Sequence, residues 1–248
     1  MNRFKLATAL LINVSLLSSV TIAHAAWKGE TMPVSTTPLN WTGFYAGLNV
    51  GAVKHTMNIT DNRATTFFAT IQQASNPDAT GGLQVGYRRQ LAMSQASGVY
   101  GLEFSANFSD ATVTKDYGSP FALYQLQSKN KLKNVCLLQL IGGIAADRTF
   151  LFLAAGFSRS DITGRVTNMD GIPFFESFNV GKNAVGTALG GGIEYALSEK
   201  FSARFKVDVI TPAVYSSEAS STIGNTGDTF QIANNIVQGT LGVNYKFG

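Results

Sequence analysis

Residues 43–53 read GFYAGLNVGAV, and as a strand this stretch has two unlike faces. Phe44, Ala46, Leu48, Val50 and Ala52 share one parity; Gly43, Tyr45, Gly47, Asn49, Gly51 and Val53 share the other. Period-two alternation predicts a strand with one face in an apolar phase, and glycine there asks for close neighbours on the other face. Seven further runs behave alike. In 82–88, Leu83, Val85 and Tyr87 oppose Gly82, Gln84, Gly86 and Arg88. In 99–108, Tyr100, Leu102, Phe104, Ala106 and Phe108 oppose Gly101, Glu103, Ser105 and Asn107. The run 132–144 is apolar on both parities; Leu138, Leu140 and Ile144 go to the apolar face because Gln139 and Gly143 then fall opposite. In 150–160, Leu151, Leu153, Ala155 and Phe157 oppose Ala154, Gly156, Ser158 and Ser160. In 185–195, Leu189, Ile193 and Tyr195 oppose Gly186, Gly190, Gly192 and Glu194. Phe201, Ala203, Phe205, Val207 and Val209 alternate with Ser202, Arg204, Lys206 and Asp208, and the last run sets Val237, Leu241, Val243, Tyr245 and Phe247 against Gln238, Thr240, Gly242, Asn244 and Lys246.

The joints alternate as well. Ala145–Arg148, Leu197–Lys200 and Arg89–Gly98 are short or moderate, whereas 55–80, 110–130, 161–182 and 211–229 are long and polar. Soluble domains seldom carry so many long irregular loops. Short turns at one rim and long loops at the other predict an all-β fold: an eight-stranded antiparallel up-and-down transmembrane β-barrel, with short periplasmic turns and four long extracellular loops.

Alternation alone leaves open which face is inside. A soluble barrel turns its apolar face inward; an outer-membrane barrel reverses this. The polar face here is rich in Gly, Ala, Ser and Asn rather than the Lys and Glu of a solvated surface. The apolar face ends in aromatics at the expected rims: Phe44, Tyr87, Tyr100, Phe108, Tyr195, Phe201, Tyr245 and Phe247. Both favour the reversal. The inward parity then carries Arg88, Glu103, Glu194, Arg204, Lys206, Asp208 and Lys246. An eight-stranded interior is just wide enough for side chains to fill, so these charges are expected to pair as a structural network across a plugged lumen. The alternative places some of them at the rims, in water.

The amino terminus is read apart from the barrel. Arg3 and Lys5 precede an apolar stretch, and Ala23-His24-Ala25 has the small-x-small form of a cleavage site. Residues 1–25 read as a secretory signal peptide cut after Ala25 or Ala26, with a membrane anchor as the alternative. Residues 26–40, with Pro33 and Pro38, read as a short periplasmic leader, and 41–248 as the barrel domain. No later segment has the roughly 20 uninterrupted apolar residues of a spanning helix. The net charge is +4, with no basic run interleaved with aromatics, so nucleic acid is not an expected partner.

Three stretches carry a family likeness. WTGFYAGLNVG (41–51) resembles the first strand of the small outer-membrane β-barrel family of Gram-negative bacteria, the opacity-type and porin-like surface proteins. GGGIEYALSEKFSARFKVDV (190–209) is similar to its sixth and seventh strands, and LGVNYKF (241–247) to its terminal strand. DRTFLFLAAGF (147–157) fits the turn and fifth strand loosely. The resemblance implies a bacterial outer-membrane location among lipid and lipopolysaccharide. It also implies insertion by the outer-membrane assembly machinery, which reads an aromatic strand end, here Tyr245 and Phe247. Two positions depart from the family pattern: Gly248 follows Phe247, and Lys206 stands where an acidic residue is frequent.

Catalytic chemistry finds little material. His24 leaves with the signal, so His55 is the only histidine of the mature chain, and it is expected at a solvated rim. No Gly-x-Ser-x-Gly elbow occurs. The single Cys136 excludes an internal disulfide and is expected to face lipid or the wall. No catalytic, metal or cofactor residues are assigned, and an enzyme is the least favoured reading. The expected function is that of a structural, surface-exposed protein supporting the envelope, with loops as the surface for contact with host molecules. The alternative is a narrow porin-like channel or conduit for small or hydrophobic solutes.

Overall fold

The computed structural model describes residues 39–61, 71–74, 76–93, 96–118, 125–168, 178–212, 215–218 and 229–247. The expected signal peptide and most of the expected leader lie outside the described residues. The barrel belongs to the compact unit Pro38–Gly248.

The chain forms β1 (Gly43–Asp61), β2 (Ile71–Ala74), β3 (Asp78–Ala92), β4 (Ser97–Gly118), β5 (Gln125–Ala146), β6 (Thr149–Asn168), β7 (Phe178–Ala196), β8 (Phe201–Pro212), β9 (Tyr215–Glu218) and β10 (Thr229–Phe247). They make one sheet in the order β2-β1-β3-β4-β5-β6-β7-β8-β10-β9, and β1 also pairs with β10. β2 and β3 follow each other along β1, and β8 and β9 along β10, so each pair is one wall strand in two pieces. The result is a closed, eight-stranded, wholly antiparallel barrel. Closure pairs every strand with a neighbour on both sides, which a backbone surrounded by lipid requires.

The parity assigned from sequence matches the side-chain directions. Phe44, Leu48, Val50, Leu140, Leu153, Phe157, Leu189 and Leu241 are exposed on the outer surface, Leu153 at 75%. Arg88, Glu103, Gln139, Ser158, Glu194, Arg204 and Asp208 are buried inside. The aromatics are arranged differently from the expectation of two girdles. All of those named except Phe108 sit toward the short-turn rim, where Phe44 meets Tyr87 at 4.8 Å and Tyr245 lies 5.1 Å from both Phe201 and Phe247.

The long loops are the main correction. β4 continues to Gly118, β5 begins at Gln125, β6 runs to Asn168 and β7 begins at Phe178. Much of what reads as loop is therefore paired strand, and only 62–70, 75, 119–124, 169–177, 213–214 and 219–228 of these connections lie outside the described residues. The physical reason is environmental. Beyond the apolar band both faces of a strand meet water or polar groups, so the alternation that marks a strand fades.

β5 holds the second surprise. Its pairing shifts register on both sides, at Phe108/Ala111 of β4 and at Leu132/Asn134 against β6. Val135, Leu137 and Gln139 point inward, yet so do Leu132 and Asn130. The bulge at Lys133 thus reverses parity. It turns Lys129, Lys131 and Lys133 outward and keeps Leu132 wholly buried. The run 132–144 reads as apolar on both parities because its inward residues Val135, Leu137 and Ile141 belong to apolar clusters inside the barrel, while Leu138, Leu140 and Ile144 are exposed outside.

The turns at the other rim are tight. Asp147 and Arg148 join β5 to β6, with Asp147 at φ 50°. A positive φ at the first central position suits the mirror-image turns that match strand twist. In Leu197–Lys200 the Ser198 hydroxyl accepts from the backbone N–H of Phe201 at 3.0 Å.

Candidate functional site

The lumen is filled in three layers. At the short-turn rim, Trp41, Val99, Ile141, Ala145, Phe150, Phe152, Ala154 and Ala196 form an apolar cluster, against which Leu39 packs. Toward the other rim, Val53, Ala111, Leu132, Val135, Leu137, Ile162, Ala184, Ala188, Ile210 and Ile236 form a second. Between them lies a polar layer with three cations, Arg88, Arg204 and Lys206, and three anions, Glu103, Glu194 and Asp208, all buried. The net charge of this layer is zero.

Two bidentate pairs span the barrel. Arg88 donates from Nη1 to Glu194 Oε1 at 3.0 Å and from Nη2 to Oε2 at 2.8 Å. Arg204 grips both oxygens of Glu103, with Nη2–Oε1 at 3.1 Å. β3 and β7 stand opposite one another in the ring of strands, as do β4 and β8. Each pair is therefore a strut across the lumen, and the planar guanidinium fits the carboxylate with two parallel bonds. Glu103 also accepts from Tyr45 Oη at 2.5 Å and from Lys206 Nζ at 3.1 Å. Glu194 accepts from Ser202 Oγ at 2.5 Å and from Asn244 Nδ2 at 3.0 Å. Gln139 accepts from Lys206 Nζ at 2.5 Å and donates to Asp208 Oδ1 at 2.9 Å, while Lys206 also lies 3.3 Å from that oxygen. Gln84 completes the wall, donating to Asn244 Oδ1 at 2.5 Å.

Aromatic faces seal the layer from below. The Arg88 guanidinium lies 3.9 Å from the Tyr45 ring centroid, and the Arg204 guanidinium lies 4.4 Å from that of Phe152. Phe150 stacks on Phe152 at 5.3 Å and meets Trp41 at 5.5 Å. These contacts let each cation keep an attractive partner on the face its hydrogen bonds leave open.

Glycines make the crowding possible. A Cβ on Gly86 would lie 2.5 Å from Tyr45 Oη, and one on Gly192 would lie 2.8 Å from Phe152 Cζ. Each gap is filled by the side chain of a neighbouring or nearby strand.

Of the inward charges expected in the network, the structure brings together Arg88, Glu103, Glu194, Arg204, Lys206 and Asp208. Lys246 stands apart. It lies at the short-turn rim, where its ammonium donates to the backbone carbonyl of Asn40. Its place near the strand end puts it beyond the carboxylates, so the rim alternative holds for this one residue. Trp41 anchors the same segment: its backbone N–H donates to Gln90 Oε1 at 2.7 Å, and Thr42 Oγ1 accepts from the Gln90 backbone N–H at 3.0 Å. Leu39 and Asn40, expected as the end of a leader, therefore join the barrel floor. A cleft of about 340 Å³, open mouth included, lies beneath, with the Arg88–Glu194 pair in its lining.

His55 is a second correction. It is fully buried, on the same inward parity as Val53, and pairs in register with Ile236. The strand continues past it, so it is not a solvated rim residue. Cys136 is half-buried on the outward parity of β5, as expected. Among the described residues, no group of three or more His, Cys, Asp or Glu is placed to hold a metal ion. Sequence reasoning missed Tyr45, Gln139, Ser202 and Asn244 as network members, and Trp41, Phe150 and Phe152 as its floor. Tyr45 and Gln139 carried a usable signal, since each shares a parity with glycines.

No family model matches the chain, and no curated protein matches its sequence. Solved structures do match. The outer-membrane protease OmpT from Escherichia coli aligns with a TM-score of 0.55 at 10% identity, over 89% of this chain and 99% of that one. This chain has the outer-membrane β-barrel fold. OprG from Pseudomonas aeruginosa also matches, with a TM-score of 0.44, 15% identity and coverage of 85% and 99%. So does Ail, the attachment invasion locus protein of Yersinia pestis, with a TM-score of 0.36, 11% identity and coverage of 83% and 99%. At these identities the likeness concerns the fold of the outer-membrane barrel, and its lumen is described by its own residues.

Proposed function

We propose that this outer-membrane barrel is a structural, surface-exposed, non-conducting and non-enzymatic protein of the opacity type. In this reading it supports the envelope, and the connections 62–70, 119–124, 169–177 and 219–228 offer the surface for contact with host molecules. One observation carries the proposal. The pairs Arg88–Glu194 and Arg204–Glu103 cross the lumen from opposite walls, between two apolar clusters. Opening a path for solute would separate buried charges, which costs several kcal/mol for each one left buried and unpaired. The same engagement supports the non-enzymatic reading: both buried glutamates are held by cations and hydroxyls.

The test is planar-bilayer recording from the purified, refolded chain. The expected trace lacks stable, large open steps. Regular steps from the unmodified barrel would replace this reading with the conduit. Contact is tested separately, by adhesion of cells displaying the barrel with these connections intact or shortened; equal adhesion removes that part of the proposal.

A further inference from the structure

Among the described residues, the outer surface carries a strongly basic sector on β5 and β6. On β5, Leu140 and Leu138 are exposed in the apolar band, and Cys136 follows them. Beyond the bulge the outward side chains are Lys133, Lys131 and Lys129. On β6, Leu151, Leu153 and Phe157 are exposed, and the next outward residue is Arg159, level with Cys136. On β6 the surface thus changes from apolar to cationic in one step, and on β5 Cys136 and Asn134 stand between the leucines and Lys133. Outward neighbours on one strand face are spaced roughly 7 Å apart and adjacent strands about 4.8 Å, so the four cations make one continuous patch.

The sector is asymmetric. At comparable height on β7 the outward residues are Thr187, Val185 and Asn183, and on β8 Val209 and Thr211. Among the described residues the nearby anions are Asp110, which pairs with Lys131, and Asp161, in register with Asn134. Four cations against two anions leave the patch positive. It lies on the side of the barrel away from the short turns, which is the outer leaflet in this fold.

The bulge shows that this placement is built into the strand. If the strand ran through Lys133 with no bulge, the parity of Val135 and Leu137 would carry on to Lys133, Lys131 and Lys129 and send them into the lumen, where the apolar cluster around Leu132 lies. A regular strand would therefore bury the lysines.

We propose that Lys129, Lys131, Lys133 and Arg159 bind the phosphate groups of an anionic glycolipid in the outer leaflet, while its acyl chains lie along Leu138, Leu140, Leu153 and Phe157. This rests on the barrel crossing the membrane and is independent of whether its lumen conducts. Ammonium and guanidinium groups make strong charge-assisted bonds to phosphate, and their aliphatic stems extend the apolar wall toward the headgroups.

The test uses the full mature chain, refolded in neutral detergent and titrated with phosphorylated lipopolysaccharide, the same glycolipid after phosphate removal, and phosphatidylcholine. Bound lipid is read by native mass spectrometry at low and high salt. The variant K129Q/K131Q/K133Q/R159Q is expected to lose at least tenfold in affinity for the phosphorylated lipid, and the wild type to lose a comparable amount at high salt. K54Q/K200Q, which removes cations elsewhere, is expected to bind as wild type. K133Q and R159Q singly, expected to lose about threefold each, serve if the quadruple variant does not fold on an unheated gel. Equal binding by the basic-patch variants and the wild type overturns the proposal. So does equal binding of the phosphorylated and phosphate-free lipid by the wild type, or an equal loss in K54Q/K200Q.

Discussion

Arg88 on β3 and Glu194 on β7 lie on opposite walls of the barrel and join through two parallel hydrogen bonds of 3.0 and 2.8 Å. The strut does not make the barrel stable by its charge alone. Desolvating two ions offsets much of their attraction, and an apolar pair of similar volume is frequently as good. What the pair supplies is an intolerance of separation. That predicts a particular pattern of mutants.

Glu194→Ala leaves a buried, uncompensated Arg88 and is expected to cost about 3–5 kcal/mol of stability. Arg88→Met with Glu194→Met is expected to recover most of it. Urea unfolding in detergent, followed by gel migration of unheated samples, measures both. A double variant no better than the worse single one contradicts this account of the pair.

Glycines on the two faces should behave in opposite ways. A Cβ on Gly86 meets Tyr45 Oη at 2.5 Å, whereas one on Gly142 has nothing within 4 Å. Gly86→Ala is expected to destabilise by about 1–3 kcal/mol, as overpacking does. Gly142→Ala is expected to stay within about 0.5 kcal/mol of wild type. Similar values for the two would show that the inward glycine is not there to make room.

Lys133 is the extra residue of the bulge, so deleting it restores unbroken alternation from Asn130 to Val135 and leaves Leu132 inward and Lys131 and Lys129 outward. A regular strand keeps each face as it is when the extra residue goes. The deletion is therefore expected to fold into vesicles, and so is Lys133→Ala, with the migration of unheated samples on a gel as the readout. Loss of folding in the deletion alone contradicts the assignment of Lys133 as the extra residue.

Trp41 is buried against Phe150 at the barrel floor, and its indole N–H has no hydrogen-bond partner. Trp41→Ala is expected to cost about 3 kcal/mol or more, the range for large aromatics. Trp41→Phe should lose much less, because the missing N–H was giving nothing. The comparison fails if Phe is as damaging as Ala in the same urea titration.

How much of this was legible differs by residue. Arg88, Glu103 and Glu194 could be placed in the lumen because each lies in a run whose other parity is apolar. Lys246 shares that parity, yet it escapes the network, since parity assigns a face and not a height along the barrel. His55 was misplaced for a related reason: the alternation weakens beyond Val53, although β1 continues to Asp61. Phe150 and Phe152 were overlooked because an inward aromatic looks wrong to a rule that expects a polar lumen.

The amino-acid sequence by itself determined the strand count, the faces and the sign of the interior, because a barrel in lipid forces one parity to be apolar wherever the wall meets acyl chains. It determined that charge would be enclosed, because the polar parity carried it. Only the tertiary structure decided who pairs with whom. Shear and closure bring β3 opposite β7 and β4 opposite β8, which are distant in the chain, and no local pattern records that. Only the tertiary structure, too, decided that one extra residue in β5 turns three lysines outward, because a bulge is a relation between two strands rather than a property of one. GFYAGLNVGAV shows both sides of this division. Its alternation marks a wall strand, while the reason for its inward glycines lies in the neighbouring β10, whose Asn244 amide crowds Gly47 and whose backbone at Gly239 crowds Gly51.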